Sequence, residues 1–260
     1  MSADWSTLFS PSHGYSDLAA SGEPLSPLDG RYRTAVEPLA NHLSEAGLNR
    51  ARVHVEIEWL LHLLDKEVLP GAPSLSNAER EYLRALPRSF SEAEIRRLAH
   101  FEATTSHDVK AVEYLIAEHL DKAAHVLGPN TCLPGLREVV HIFCTSEDIN
   151  NLAYALTVRA AVQEIWLPAA RGLVADLAAL AREHADAAML ARTHGQSATP
   201  TTLGKELAVL AHRLRRQVRR VEGAEYLGKI NGATGTFGAH IVAVPDADWE
   251  SVARGFVERL

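Results

Sequence analysis

Three long runs rich in alanine and leucine, with apolar residues at every third or fourth position, constrain this chain more than any other feature. One begins at Ser146 and passes through Leu152, Leu156 and Val162 to Trp166. A second continues past Pro168 to about Ala188, and a third spans Thr202 to about Tyr226. That spacing gathers apolar side chains into one stripe of an α-helix. Long helices with few turn residues between them bury such stripes against one another, so a helical bundle is expected. The same period recurs upstream, in Val53, Ile57, Leu60, Leu61 and Leu64 before Pro70, and in Val109 to Leu120 before Gly128-Pro129-Asn130. Ser76 with Glu79, and Ser91 with Glu94, read as capping boxes that open two short helices, with Pro87 between them. A shorter helix is expected over 136–143. Strand signals are scarce; Ile241 to Val244, before Pro245, suit a short strand. The fold class is therefore read as all-α, with a helical N-terminal domain over 1–144 and a long-helix bundle domain over 145–260. Pro11, Pro24 and Pro27 make the first thirty residues irregular.

Composition narrows the function classes. An apolar share of 47% beside 23% charged residues excludes a disordered chain. Lys and Arg number 26 against 33 Asp and Glu, and a net charge of −7 argues against a general nucleic-acid partner. No run of about 18 uncharged apolar residues offers a membrane span, and Met1 to Phe9 lack the order of a signal peptide. Cys132 and Cys144 are too few for a disulfide framework or a thiolate metal cage, which fits a reducing, cytoplasmic setting. Neither His nor Cys falls in zinc-ligand spacing, and no phosphate-binding glycine loop occurs.

Four polar clusters lie at helix boundaries, where function is carried on a rigid scaffold. Ser26-Pro27-Leu28-Asp29-Gly30-Arg31-Tyr32 reads either as a turn or as a phosphate grip built on the guanidinium fork of Arg31 and the hydroxyl of Tyr32. Thr104 to Lys110 begins a helix, where Ser106 and Asp108 serve equally as caps or as ligand contacts and His107 is able to carry a proton. His141 to Asn151 presents Thr145 and Ser146 at another helix start, with Cys144 read as a small buried side chain. Ala191 to Pro200 sets His194 before a glycine in a polar break, among Thr193, Gln196 and Thr199. The glycines of Gly228 to Gly235 read as a helix end. The basic run from Lys205 to Arg220 reads as a solvated or subunit-facing helix side.

Taken together and in order, SPLDGRY (26–32), TTSHDVKAVEY (104–114), CTSEDINNLAYAL (144–156), ARTHGQSATPTTLGKE (191–206) and LGKINGATG (227–235) resemble the adenylosuccinate lyases of the fumarase/aspartase superfamily. The resemblance implies β-elimination of fumarate from adenylosuccinate, giving AMP, and from succinylaminoimidazole carboxamide ribotide, without metal or organic cofactor. In such a step a base takes a proton beside a carboxylate while an acid protonates the departing nitrogen. By resemblance, Arg31 and Tyr32 hold the nucleotide phosphate. Ser106, His107 and Asp108 form a second substrate segment, Thr145 and Ser146 bind the succinyl carboxylates, and His141 is a further pocket histidine. His194 is the general acid. Ser197 stands where the family carries proline. The family's base serine lies in an S-S-x-M-P segment that these 260 residues do not contain. The resemblance thus implies a bundle domain incomplete at its C-terminal end, an assembled enzyme that is a cytoplasmic homotetramer, and no turnover by this chain alone. A non-catalytic helical module binding a ligand or partner, and a superfamily lyase acting on another succinyl compound, are the alternatives.

Overall fold

The computed structural model describes residues 25–260. Helix α1 (Arg33–Leu43) runs directly into α2 (Glu45–Asp65), where the Ser44 hydroxyl accepts the N–H of Gly47. Along α2, Val53, Val55, Ile57, Trp59, Leu60, Leu61 and Leu63 are all buried. Arg50, Arg52, His54, Glu56, Glu58 and His62 are buried as well, so α2 is covered on every side and forms the centre of its unit. Helices α3 (Asn77–Arg88) and α4 (Glu92–Thr105) open on the two expected capping boxes, while Pro87 sits in the last turn of α3 and not between the helices. Then come α5 (Asp108–Lys122), the short α6 (Ala124–Leu127), a 3-10 segment over Leu133–Val139, and α7 (Ser146–Ala160). One face of α2, through Val53, Ile57 and Leu60, packs with Leu83, Val112, Leu115, Ile116 and Leu133.

The described chain divides into two compact units, and Arg159–Tyr226 form the second. It opens on a π-helical stretch, Ala161–Trp166, followed by α8 (Leu167–Glu183). Pro168 falls in the first turn of α8, where its missing N–H is harmless. Strands β1 (Ala188–Thr193) and β2 (Gln196–Thr202) form an antiparallel hairpin, and Thr202 caps α9 (Leu203–Glu222) by accepting the N–H of Lys205. Helix α9 buries Gly204, Ala211 and Val218, a spacing of seven that keeps one seam toward its neighbour. A Cβ on Gly204 would lie 2.3 Å from the carbonyl oxygen of Ala181, so α8 and α9 approach closely only with glycine there.

After Tyr226 the chain belongs again to the first unit, with α10 (Gly238–Ala243) and α11 (Trp249–Val257). The second face of α2, through Val55, Trp59 and Leu63, packs with Ile149, Leu152 and Leu156 of α7 and with Trp249, Val252 and Phe256 of α11. The rings of Trp59 and Phe256 meet edge-on at 5.0 Å, and His62 Nε2 lies 2.9 Å from the carbonyl of Val252.

One local expectation needs correction. Ile241, Val242 and Ala243 are helical, because Gly238–Ala243 is wound as α10; only Val244 lies outside it. The helical fold class is as expected, and the polar break around His194 takes the form of a β-hairpin, the one two-stranded sheet among the described residues.

Candidate functional site

The Ser26–Tyr32 turn closes on itself. The Ser26 hydroxyl lies 3.2 Å from Asp29 Oδ2 and accepts the N–H of Leu28, while Tyr32 donates its N–H to the Pro27 carbonyl. Arg31 and Tyr32 are exposed beyond it, with the guanidinium 5.6 Å from the tyrosine ring centre. Both polar groups of the suggested phosphate grip therefore face solvent from one hydrogen-bonded turn at the start of α1.

The second and third segments meet. Ser106 ends α4 in the left-handed region (φ 49°) and His107 caps α5 with Nδ1, which accepts the Lys110 N–H at 3.2 Å. That acceptance leaves Nε2 to carry the proton, and Nε2 lies 3.3 Å from the hydroxyl of Ser146, the first residue of α7. The N-termini of α5 and α7 thus converge on one place. Each end carries about half a positive charge from its aligned peptides, so the junction favours an anionic group.

Helix α2 anchors this junction. Arg52 donates to Asp108 Oδ2 at 2.5 Å, to Asn150 at 2.9 Å and to Asn49 at 2.8 Å. Burial alone would raise the Asp108 carboxyl, but the Val109 N–H and the Arg52 guanidinium outweigh that and lower it. His141 binds Glu56 Oε1 through Nδ1 at 2.6 Å, and Lys110 Nζ binds Glu113 at 2.7 Å. Burial pushes the Glu56 carboxyl up. Burial would lower the His141 imidazole, yet its bond to Glu56 more than reverses this and raises it. His141 and Phe143 both have positive φ, 65° and 68°, a conformation that costs a non-glycine residue on the order of 1 kcal/mol or more. Burial and the neighbouring Glu56 and Asp148 push the Cys144 thiol well up, which makes it inert as a nucleophile.

Sequence reasoning misses Asp148 and Lys229. By its position Asp148 reads only as a helix-dipole acid, yet it is fully buried and accepts four bonds: Lys229 Nζ (2.7 Å), Thr145 N–H (2.9 Å), and the N–H groups of Asn231 and Gly232 (both 3.1 Å). Asn151 completes the clamp, accepting the Lys229 N–H at 2.8 Å and donating to its carbonyl at 3.0 Å. The loop 228–235 is therefore not a helix end: α9 stops at Glu222, and the loop is tied to α7. The available signal was the pairing of an acid within SEDINN and a lysine within LGKING.

His194 belongs to the second unit. It and Gly195, at φ 51° and 71°, form the two-residue turn between the paired residues Thr193 and Gln196. Positive φ at both positions marks the hairpin turn that matches strand twist. The imidazole is exposed at the tip, and Ser197 pairs with Arg192 in β2. Among the described residues no group of three or more His, Cys, Asp or Glu is arranged to hold a metal, and no helix is long and apolar enough to cross a membrane.

A mostly helical fold with polar loops gathered at helix starts defines a class. Residues 30–258 match the family described as Lyase, and the chain belongs to that family. It is 42% identical over 236 residues to the adenylosuccinate lyase of Haemophilus influenzae, a stretch covering 91% of this chain and 50% of that one. To the adenylosuccinate lyase of Escherichia coli strain K12 it is 44% identical, with the same coverage of 91% and 50%. The chain spans about half the length of the curated relatives it matches. Among solved structures it is similar to a fumarate lyase from Mesorhizobium sp. BNC1, with a TM-score of 0.66, 21% identity, and coverage of 86% of this chain and 47% of that one. It is also similar to a β-carboxy-cis,cis-muconate cycloisomerase from Acinetobacter calcoaceticus, with a TM-score of 0.68, 17% identity, and coverage of 86% and 48%. At those identities the likeness is one of fold.

Proposed function

We propose that this chain carries the substrate-binding side and the acid of an adenylosuccinate lyase, acting in purine nucleotide synthesis on adenylosuccinate and on succinylaminoimidazole carboxamide ribotide. The observation that carries this reading is 42–44% identity to adenylosuccinate lyases over 91% of the chain. The convergence of the α5 and α7 N-termini at His107 and Ser146 supports it, since the leaving fumarate is a dianion.

In this reading Arg31 and Tyr32 hold the phosphate, and Ser106, His107 and Asp108 line the reacting centre with His141 nearby. Thr145 and Ser146 bind a succinyl carboxylate, where fixed donors stabilise the charge that develops as the neighbouring carbon loses its proton. His194 protonates the departing nitrogen from its hairpin tip. The base serine comes from a segment outside these 260 residues, within a cytoplasmic homotetramer.

Fumarate release, followed by ultraviolet absorbance, tests each part. The chain alone is expected to give no turnover. Co-expression with the C-terminal half of the Escherichia coli relative is expected to restore it, and His194→Ala in that pair to lower it by a hundredfold or more, roughly the share of a general acid. Turnover by the chain alone, or near-normal rates with His194→Ala, would sink the assignment. Nucleotide binding without turnover in the complemented pair would instead favour a non-catalytic module.

A further inference from the structure

Helix α2 carries a carboxylate that its apolar surroundings do not explain. Glu56 is 1% exposed. A charge so placed is unfavourable unless it is paired. Its Oε1 is bound by His141 Nδ1 at 2.6 Å, while Oε2 has no hydrogen-bond partner among the described residues. Arg52, Glu56 and Trp59 stand four and then three positions apart, so they share one face of the helix. Arg52 binds Asp108 and Asn150 in the first turns of α5 and α7, while Glu56 binds His141 and Trp59 donates Nε1–H to the Ile142 carbonyl at 3.1 Å in the loop before α7. Two consecutive residues of one turn are therefore gripped from one helical face. That turn holds His141 and Phe143 in the left-handed region, which side chains other than glycine rarely adopt. It leads directly into Thr145 and Ser146.

We propose that Glu56 is a positioning residue: through His141 Nδ1 it holds the 141–143 turn in its left-handed form and so sets where Thr145 and Ser146 stand opposite His107. The inference rests on the reading of Thr145 and Ser146 as the carboxylate-binding pair. Because Nδ1–H is committed to Glu56, the imidazole turns Nε2 away from α2, toward Glu113 Oε1 at 3.8 Å. The titratable and charged groups facing His141 are Glu56 from α2 and Glu113 and Lys110 from α5.

The test is a pH titration of this chain, 15N-labelled at histidine, followed by NMR. His141 is expected to keep its Nδ1 proton throughout and to titrate with a midpoint above the usual histidine value. Glu56→Gln keeps the shape and an acceptor but removes the charge; it is expected to lower that midpoint by about one pH unit or more, the usual effect of a close opposite charge. The same variant is expected to shift the ring signals of His107, because Ser146 moves. An unchanged His141 midpoint, or unchanged His107 signals, would overturn the proposal. If Glu56→Gln does not fold, the wild-type titration decides alone: a proton on Nε2 with none on Nδ1, or a midpoint below the usual value, overturns it. Fumarate release is read separately, in the pair with the C-terminal half of the Escherichia coli relative: its absence from the unsubstituted pair, with these signals as expected, counts against the lyase reading and leaves the positioning role standing.

Discussion

Asp148 shows how much one buried carboxylate organises here, because its four bonds hold the loop 229–232 and the start of α7 together. Asp148→Ala orphans three backbone N–H groups and leaves Lys229 without its partner, so a loss of about 3 kcal/mol is expected, read from urea midpoints. Asp148→Asn, still an acceptor, should lose less. Histidines set the acid limit. Burial holds His54 down at about 4, with Glu58 pulling weakly the other way, and burial also lowers His42, His62 and His119. Each binds its proton more readily unfolded than folded, so this stabilisation is complete above pH 6.5 and drains away as pH falls. For His54 alone the loss between pH 6.5 and 4 is about 3 kcal/mol. His141, raised by Glu56, has the opposite sign: its contribution is full at low pH and fades as pH rises through its folded value. Denaturation midpoints should therefore drop between pH 7 and pH 5, and His54→Gln should flatten the slope; a flat profile for the native chain would contradict the burial. At this scale the two serine–glutamate caps were legible, because a cap is decided within four residues. The left-handed His141 and Phe143 were not, since that conformation is imposed by Glu56 and Trp59, more than eighty positions away.

The elements divide in the same way. Helices α2, α5, α7 and α9 follow their apolar period and were readable from it. The hairpin was hidden, because its strands carry little apolar alternation, β2 contains Pro200, and His-Gly is a weaker turn signal than Asn-Gly. Ile241 and Val242 illustrate the reverse case, in which strand-prone residues are wound into a helix by their setting. Of the proposed site, the polar residues at the starts of α5 and α7 were visible as boundary clusters, whereas the anchors Arg52 and Glu56 sit inside a helix that reads as plain core. Packing within the second unit leads to a further prediction. Gly204→Ala forces a methyl against the Ala181 carbonyl and the Cα of Ala185, at 2.3 and 2.7 Å before relaxation. The two helices must part, at about 1–3 kcal/mol, the usual range for overpacking. Gly172→Ala, with nothing within 4 Å of the new methyl, is the control and should be neutral or stabilising by helix propensity. Equal denaturation midpoints for both variants would show that the close approach does not matter.

On the scale of the whole molecule, the first unit is discontinuous in sequence, and no local pattern could announce that α11 completes the core begun by α2. Phe256 is fully buried against Trp59 and His62. Phe256→Ala should therefore lose about 3–5 kcal/mol, as large aromatic truncations in cores do, and near-ultraviolet dichroism of Trp59 should report the loosened packing. A change below about 1 kcal/mol would mean that α11 is dispensable. Family membership and fold agree at this scale, since the match over residues 30–258 includes both α2 and α11. The return of α11 also has a meaning in time. His62 and its partner Val252 are 190 residues apart. At a synthesis rate of about 5–20 residues per second, roughly ten to forty seconds separate the appearance of one from that of the other. Throughout that interval the Val55–Trp59–Leu63 face of α2 waits on the ribosome without the α11 part of its cover. A nascent chain stalled before Trp249 should thus be a target for chaperones that read exposed aliphatic and aromatic stretches.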